Sequence, residues 1–303
     1  MLQQNNPANA DLIVNINGKL VHRNEAGVSP FDSSVQNGDA VWEGLRLYNG
    51  RIFKLEEHLD RLRRSAALLK YEGMPSDEQL TGELKRTLAA NGMTDFVHVR
   101  LTVSRGVKYT SGLDPRVNTN GCSFFILAEH KAPVYDKSGL VFHTSATRRP
   151  FANILNQHIH SCNQLTSILA KMEATAAGAD DALMLDTEGN LAETNATHVF
   201  LVRNGVVETS TTRACPEGIT RMTVLDLCKQ HNIPVAVRNI PENEIHEADE
   251  VFCTGTMGEI APVIRIGGTT FNEGQPGPVT TRLSELYSEI TTTEGTLVTT
   301  NAS

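Results

Sequence analysis

Lysine is missing from the whole stretch between Lys137 and Lys171. A primary amine is the side-chain group that condenses with an aldehyde, so imine chemistry is excluded there. Basic runs are missing too, and the formal charge is −8, which argues against nucleic acid or an anionic membrane as partner. No window reaches transmembrane length, and the opening Met1-Leu-Gln-Gln-Asn-Asn-Pro7 has neither a basic start nor an apolar stretch. Neither a membrane span nor secretion is expected. The five cysteines, Cys122, Cys162, Cys215, Cys228 and Cys253, are odd in number, scattered and without CxxC spacing. They suggest no disulfide framework and no metal site, and a cytoplasmic setting is the simplest. There is no internal repeat, and the Thr-rich end from Thr291 to Ser303 lacks an apolar face, which predicts a disordered tail over 291–303.

What is present reads as an ordinary enzyme of two domains, since 303 residues can bury a sizeable core. Asn17-Gly18 lies between alternating segments and signals a hairpin, and Asn49-Gly50 repeats the signal. Leu55, Leu59, Leu62, Ala66 and Leu69 fall at helical spacing, and Ser76-Asp-Glu-Gln79 reads as a capping box opening a second helix towards Asn91-Gly92. With strands at 96–104 and 123–128, residues 1–131 are expected to form a small α+β domain. The Pro-containing polar segment 132–137 is the expected linker. Residues 138–290 alternate strands (140–143, 182–185, 198–202, 206–208, 235–237, 251–253) with helices (162–177, 218–230, 277–289), which predicts a larger α/β domain.

Five segments, in this order and spacing, carry a resemblance: Val41-Trp-Glu-Gly-Leu-Arg-Leu-Tyr48, Glu57-His-Leu-Asp-Arg61, Leu191-Ala-Glu193-Thr-Asn-Ala-Thr-His198, Glu217-Gly-Ile-Thr-Arg221 and Thr254-Gly-Thr-Met-Gly-Glu259. Over roughly residues 11 to 285 the chain resembles the class IV aminotransferases. These are the fold type IV pyridoxal-phosphate enzymes, which include branched-chain and D-amino acid aminotransferases and aminodeoxychorismate lyase. The branched-chain group is the most similar.

The resemblance implies a two-domain α+β / α/β fold of the D-amino acid aminotransferase kind, with the larger domain holding pyridoxal or pyridoxamine phosphate. Arg61 is implied as the phosphate clamp, a role its planar fork suits. Glu193 is implied to face the pyridine nitrogen and keep it protonated, making the ring an electron sink. Gly218, Ile219 and Thr220 form one implied phosphate loop, with Gly218 allowing close approach at a helix N-terminus, and Gly255 and Thr256 form the other. Trp42 is implied to line the substrate side. Arg100, preferred over Arg105, and the Met257-Gly258 turn would take a substrate carboxylate. A small amino or keto acid substrate and a homodimer follow from the same resemblance. Pro216, His198 and Gln164 stand where leucine, asparagine and a cofactor-contacting tyrosine are usual in the family.

The segment Leu165-Thr-Ser-Ile-Leu-Ala-Lys171 resembles the helix following the family's Schiff-base lysine, with Lys171 inside that helix and not at the catalytic position. Counting back puts the lysine's place at His158, the favoured register, or at His160. Three readings follow. In the first, the cofactor is held noncovalently by Arg61, Glu193 and the two loops. His158 or His160 then moves the proton, and ordinary transamination is absent or impaired. In the second, no cofactor takes part, and His158 and His160, on one side of an extended segment, serve a lyase or isomerase. In the third, the fold binds without catalysing. A deliberate replacement of the lysine is a further alternative, but several linked departures speak for natural divergence.

Overall fold

Both Asn-Gly pairs turn hairpins, because each places two consecutive residues at positive φ: 52° and 80° at Asn17-Gly18, 48° and 77° at Asn49-Gly50. They shape the first of two sheets in a computed structural model of the protein, which describes residues 5–151 and 153–299. This sheet has seven antiparallel strands in the order Thr296–Leu297, Arg51–Ile52, Ala40–Tyr48, Val97–Ser104, Ser123–His130, Ile13–Ile16, Lys19–His22. Helices Leu55–Leu68 and Asp77–Ala90 bury Leu55, Leu59, Leu62, Leu80, Leu84 and Leu88 in one core with Val41, Leu45 and Leu47. The Ser76–Gln79 capping box is present in both directions, satisfying donors that would otherwise end the second helix unpaired.

The second sheet has nine strands and is mixed. Leu140–Thr144 pairs in parallel with Asp181–Leu185 and with Glu259–Ile266, whereas His198–Arg203 and Glu250–Gly255 pair antiparallel. Helices Leu165–Ala176, Ile219–Gln230 and Pro278–Thr293 accompany it. No helix among the described residues is long and apolar enough to cross a membrane. The five cysteines are free thiols.

The chain divides into two compact units that each contain one sheet. A C-terminal unit comprises Pro133–His158 and Gln164–Ile290, and an N-terminal unit takes the chain up to Ala132, Ile159–Asn163 and the chain from Thr291. The expected linker at 132–137 is not a free tether. Val134 N–H bonds the Met257 carbonyl, and the Tyr135 hydroxyl bonds Asp181 at 2.5 Å, so the segment is built into the C-terminal unit. The expectation of disorder from Thr291 is corrected as well. The last helix continues to Thr293, Thr296–Leu297 pairs with Arg51–Ile52 because a strand edge offers it backbone bonds, and Val298 is buried in the core of the N-terminal unit. Residues 300–303 of that tail lie outside the described residues.

Candidate functional site

The N-terminal unit gathers charge around one buried carboxylate. Glu43 shares its strand face with core residues Val41, Leu45 and Leu47 and is fully buried. A lone carboxylate in such a row would be strongly disfavoured. Arg61 Nε reaches Glu43 Oε1 at 2.9 Å, Arg61 Nη2 reaches Oε2 at 2.6 Å, and His58 Nδ1 lies 2.7 Å from Oε2. Burial by itself would raise the Glu43 pKa, but Arg61, His160 and His58 together hold it well below the ordinary carboxylate value. Arg61, the expected phosphate clamp, is therefore half of a buried bidentate ion pair.

The Ile159–Asn163 segment joins this unit by pairing with the start of the Ala40–Tyr48 strand. Trp42 N–H donates to the His160 carbonyl at 3.0 Å, and Cys162 N–H donates to the Ala40 carbonyl at 2.8 Å. The His160 ring stacks on Trp42 with centroids 4.5 Å apart. His160 Nδ1 lies 2.5 Å from the Trp42 carbonyl and 3.5 Å from Glu43 Oε1. A carbonyl only accepts, so Nδ1 carries the proton and the basic lone pair sits on Nε2. Burial, and then the Arg61 charge, push the His160 pKa below its ordinary value, while Glu43 opposes them.

His158 is placed differently. Its backbone N–H bonds Asn156 Oδ1 at 3.0 Å, and residues 157–159 form a turn and bend. The expected common facing of His158 and His160 required extended backbone, and the turn removes it. Nothing in the backbone now pairs these two histidines as acid and base.

Arg100 lies 3.9 Å from the Trp42 ring and donates to Cys162 Sγ at 3.6 Å. Arg105 instead pairs with Asp39 at 2.6 Å and stacks on Tyr71. Two residues escaped the sequence reasoning. Arg46 and His98 sit opposite each other in register. Arg46 is 1% exposed, and among the described residues its three guanidinium nitrogens, like His98 Nδ1, have no hydrogen-bond partner. Burial, followed by Lys131, Arg46 and Arg100, pushes the His98 pKa down to about 3. Alternation was the available signal, since it puts Trp42, Gly44 and Arg46 on the face opposite Glu43.

In the C-terminal unit, Glu193 is buried within Leu191–Thr194, with Arg149 Nη2 3.1 Å from its carboxylate. The same Arg149 nitrogen donates to Ser167 Oγ at 2.9 Å, and Ser167 Oγ donates to Gln164 Oε1 at 3.0 Å. Gln164 is thus linked to Glu193 through Ser167 and Arg149, and Arg149 is a third residue that sequence reasoning missed. Burial and the Glu193 charge drive the Cys215 thiol well up, against Arg221 and Arg149.

Gly218 is the N-cap of Ile219–Gln230 and supplies no side-chain cap. The helix start that includes Ile219 and Thr220 therefore offers backbone donors suited to an anion. A Cβ on Gly218 would come within 2.5 Å of the His198 ring. His198 Nε2 lies 2.8 Å from the Pro216 carbonyl, so the two departures from the family pattern are bonded to each other. Gly255 and Thr256 follow Thr254, whose buried Oγ1 has no partner among the described residues. The Gly258 N–H donates to the Gly255 carbonyl at 3.2 Å. Gly258 is thereby corrected as a donor to substrate, because the tight turn uses that N–H itself. Met257 remains in the same turn, its carbonyl accepting from Val134 N–H. Both lysines flanking the lysine-free stretch are engaged: Lys171 with Asp181 at 2.8 Å and the Asp180 carbonyl, Lys137 with the Ile260 carbonyl at 2.6 Å.

Two sheets of this kind, a paired glutamate on a strand and an uncapped glycine-led helix define a class, and comparison identifies it. The amino-transferase class IV family matches residues 40–266, and the chain belongs to that family. Among its relatives it is similar to branched-chain-amino-acid aminotransferase-like protein 2 of Arabidopsis thaliana, at 48% identity over 95% of this chain and 52% of that protein. The chain thus spans about half the length of that relative. It is also 30% identical to a branched-chain-amino-acid aminotransferase of Pseudomonas aeruginosa, over 93% of this chain and 94% of that one. Among solved structures, the branched-chain aminotransferase of the archaeon Thermoproteus uzoniensis with norvaline superposes with a TM-score of 0.87 at 31% identity, covering 93% and 95% of the two chains. The pyridoxal-phosphate form of the Thermobaculum terrenum branched-chain amino acid aminotransferase gives 0.83 at 28%, covering 93% and 94%. The fold is that of the fold type IV aminotransferases.

Proposed function

We propose that this chain is a branched-chain-aminotransferase-like protein that holds pyridoxal or pyridoxamine phosphate noncovalently, with His160 in place of the Schiff-base lysine as its proton-transfer base. The donor set fits such a cofactor. The uncapped start of the Ile219–Gln230 helix, with Thr220, suits a phosphate, and the buried Glu193 suits a protonated ring nitrogen. When bound, the group supplies an electron sink for charge developing on the substrate carbon. Arg61 contributes to phosphate binding as part of its Glu43 pair.

The observation that carries the reading is the His160 ring, committed through Nδ1 to the Trp42 carbonyl and therefore basic at Nε2. Its depressed pKa keeps it neutral, and so able to accept a proton, at neutral pH. His158 has no comparable support. For the substrate, Arg100 and Arg46, whose guanidinium lies over the Tyr48 ring but whose nitrogens have no hydrogen-bond partner among the described residues, suit the carboxylate of a small amino or keto acid, since buried donors left without an acceptor are costly. The test is a single-turnover half-reaction between pyridoxamine phosphate and branched-chain 2-oxo acids. The wild-type protein should react slowly, and His160→Ala should lose a further ~10²–10⁴-fold. A smaller loss in His160→Ala than in His158→Ala would reverse the assignment.

A homodimer is proposed on the Leu165–Ala176 helix, whose Leu165, Ile168, Leu169 and Met172 are exposed at helical spacing. Ile168→Glu should shift the sedimentation coefficient towards monomer, and an unchanged dimer would exclude this face. A cytoplasmic setting is proposed along with it.

A further inference from the structure

We infer that Glu43 is the positioning residue for His160, its buried carboxylate facing the imidazole edge that the Trp42 carbonyl holds, while Arg61 and His58 hold the carboxylate in place. The inference rests on the reading of His160 as the base. Glu43 occupies a row in which its strand neighbours on the same face are apolar core residues, so its charge needs a reason. A pair with Arg61 alone would satisfy both oxygens, yet the carboxylate is also turned to two histidines. His58 Nδ1 is bonded to Oε2 at 2.7 Å, and His160 Nδ1 stands 3.5 Å from Oε1. The longer distance lies outside ordinary hydrogen-bond range. The Trp42 carbonyl therefore accepts the Nδ1–H hydrogen bond and fixes the tautomer, and Glu43 acts by charge.

The groups facing His160 come from three directions. Its own strand partner supplies the Trp42 ring and carbonyl and the Glu43 carboxylate. The Leu55–Leu68 helix supplies Ser65, whose Oγ accepts from the His160 backbone N–H at 3.1 Å, the Arg61 charge, and His58 acting through Glu43. Arg100 lies over the Trp42 ring from the Val97–Ser104 strand. Burial and Arg61 both disfavour the imidazolium, and Glu43 is the anion that opposes them. When Nε2 accepts a proton, the new charge is shared with this carboxylate, which stays ionised. The arrangement follows the orienting logic of a histidine backed by a buried acid. It differs in that a backbone carbonyl, rather than the acid, accepts the Nδ1–H hydrogen bond.

The test uses the full chain labelled with ¹⁵N-histidine, with His160→Gln to assign the His160 signals. In the wild type, His160 should show the Nδ1–H tautomer. In Glu43→Gln its titration midpoint should move down, and the maximal rate constant of the half-reaction should fall about tenfold or more with the half-saturating 2-oxo acid concentration unchanged, since the proton-transfer step alone is affected. Unaltered His160 shifts and titration in Glu43→Gln would overturn the inference and reduce Glu43 to a structural partner of Arg61. If Glu43→Gln does not fold, Glu43→Asp, which draws the charge away by one methylene, is judged by the same shifts. The two claims fail separately. Unchanged turnover in His160→Ala removes the base reading, while a His160 titration still displaced by Glu43→Gln supports the coupling inferred here.

Discussion

Glu43 stays ionised in a hydrophobic row because Arg61 and His58 complete it, and breaking such a pair costs about 3–5 kcal/mol when one partner is left behind. His98 and His160 behave in the opposite sense, both held neutral by burial and nearby cations. Their folded pKa values lie below the unfolded ones, so unfolding takes up protons as the pH drops below the ordinary histidine range. Stability should therefore fall from about pH 6.5 downward, with the His98 contribution continuing to about pH 3. Urea midpoints measured against pH check this. The slope should be shallower in His98→Phe, and an identical slope would contradict the placement of His98.

At the scale of elements, the start of the Ile219–Gln230 helix depends on one absent Cβ. Gly218 leaves room for the His198 ring, which in turn bonds the Pro216 carbonyl. Gly218→Ala should therefore weaken binding of pyridoxal phosphate by displacing that ring or the helix start, and adding His198→Asn should restore part of it. Fluorescence titration with the cofactor measures both, and equal affinities in the wild type and Gly218→Ala would contradict the role given to this turn. Elements with local signatures were legible in the sequence: the two Asn-Gly hairpins, the Ser76–Gln79 box and the amphipathic Leu55–Leu68 helix. Glu259–Ile266 was not, because Pro262 interrupts its pattern, although Pro262 stands in register with Phe252. Thr296–Leu297 became a strand only by finding Arg51–Ile52 far back in the chain.

For the whole molecule, the ordered motifs were enough to name the family, and the family match over residues 40–266 bears that out. The site was only half legible. Arg61, Glu193 and Gly218 stood in recognisable segments, but nothing local revealed that Arg61 is tied to Glu43 or that Glu193 is tied to Arg149. The same holds for the Ile159–Asn163 segment, which belongs with strand Ala40–Tyr48 more than a hundred residues earlier. Such pairings are tertiary, and the charge of a residue in an alternating strand reads as solvent-facing until its partner is seen.

The central claim is that the cofactor is bound without a covalent bond to lysine. The direct measurement is borohydride reduction of the protein loaded with pyridoxal phosphate, followed by dialysis and mass spectrometry of the intact chain. The account predicts an unmodified mass and cofactor recovered in the dialysate. A pyridoxyl adduct on any lysine of the chain, with the cofactor retained through dialysis, would contradict it.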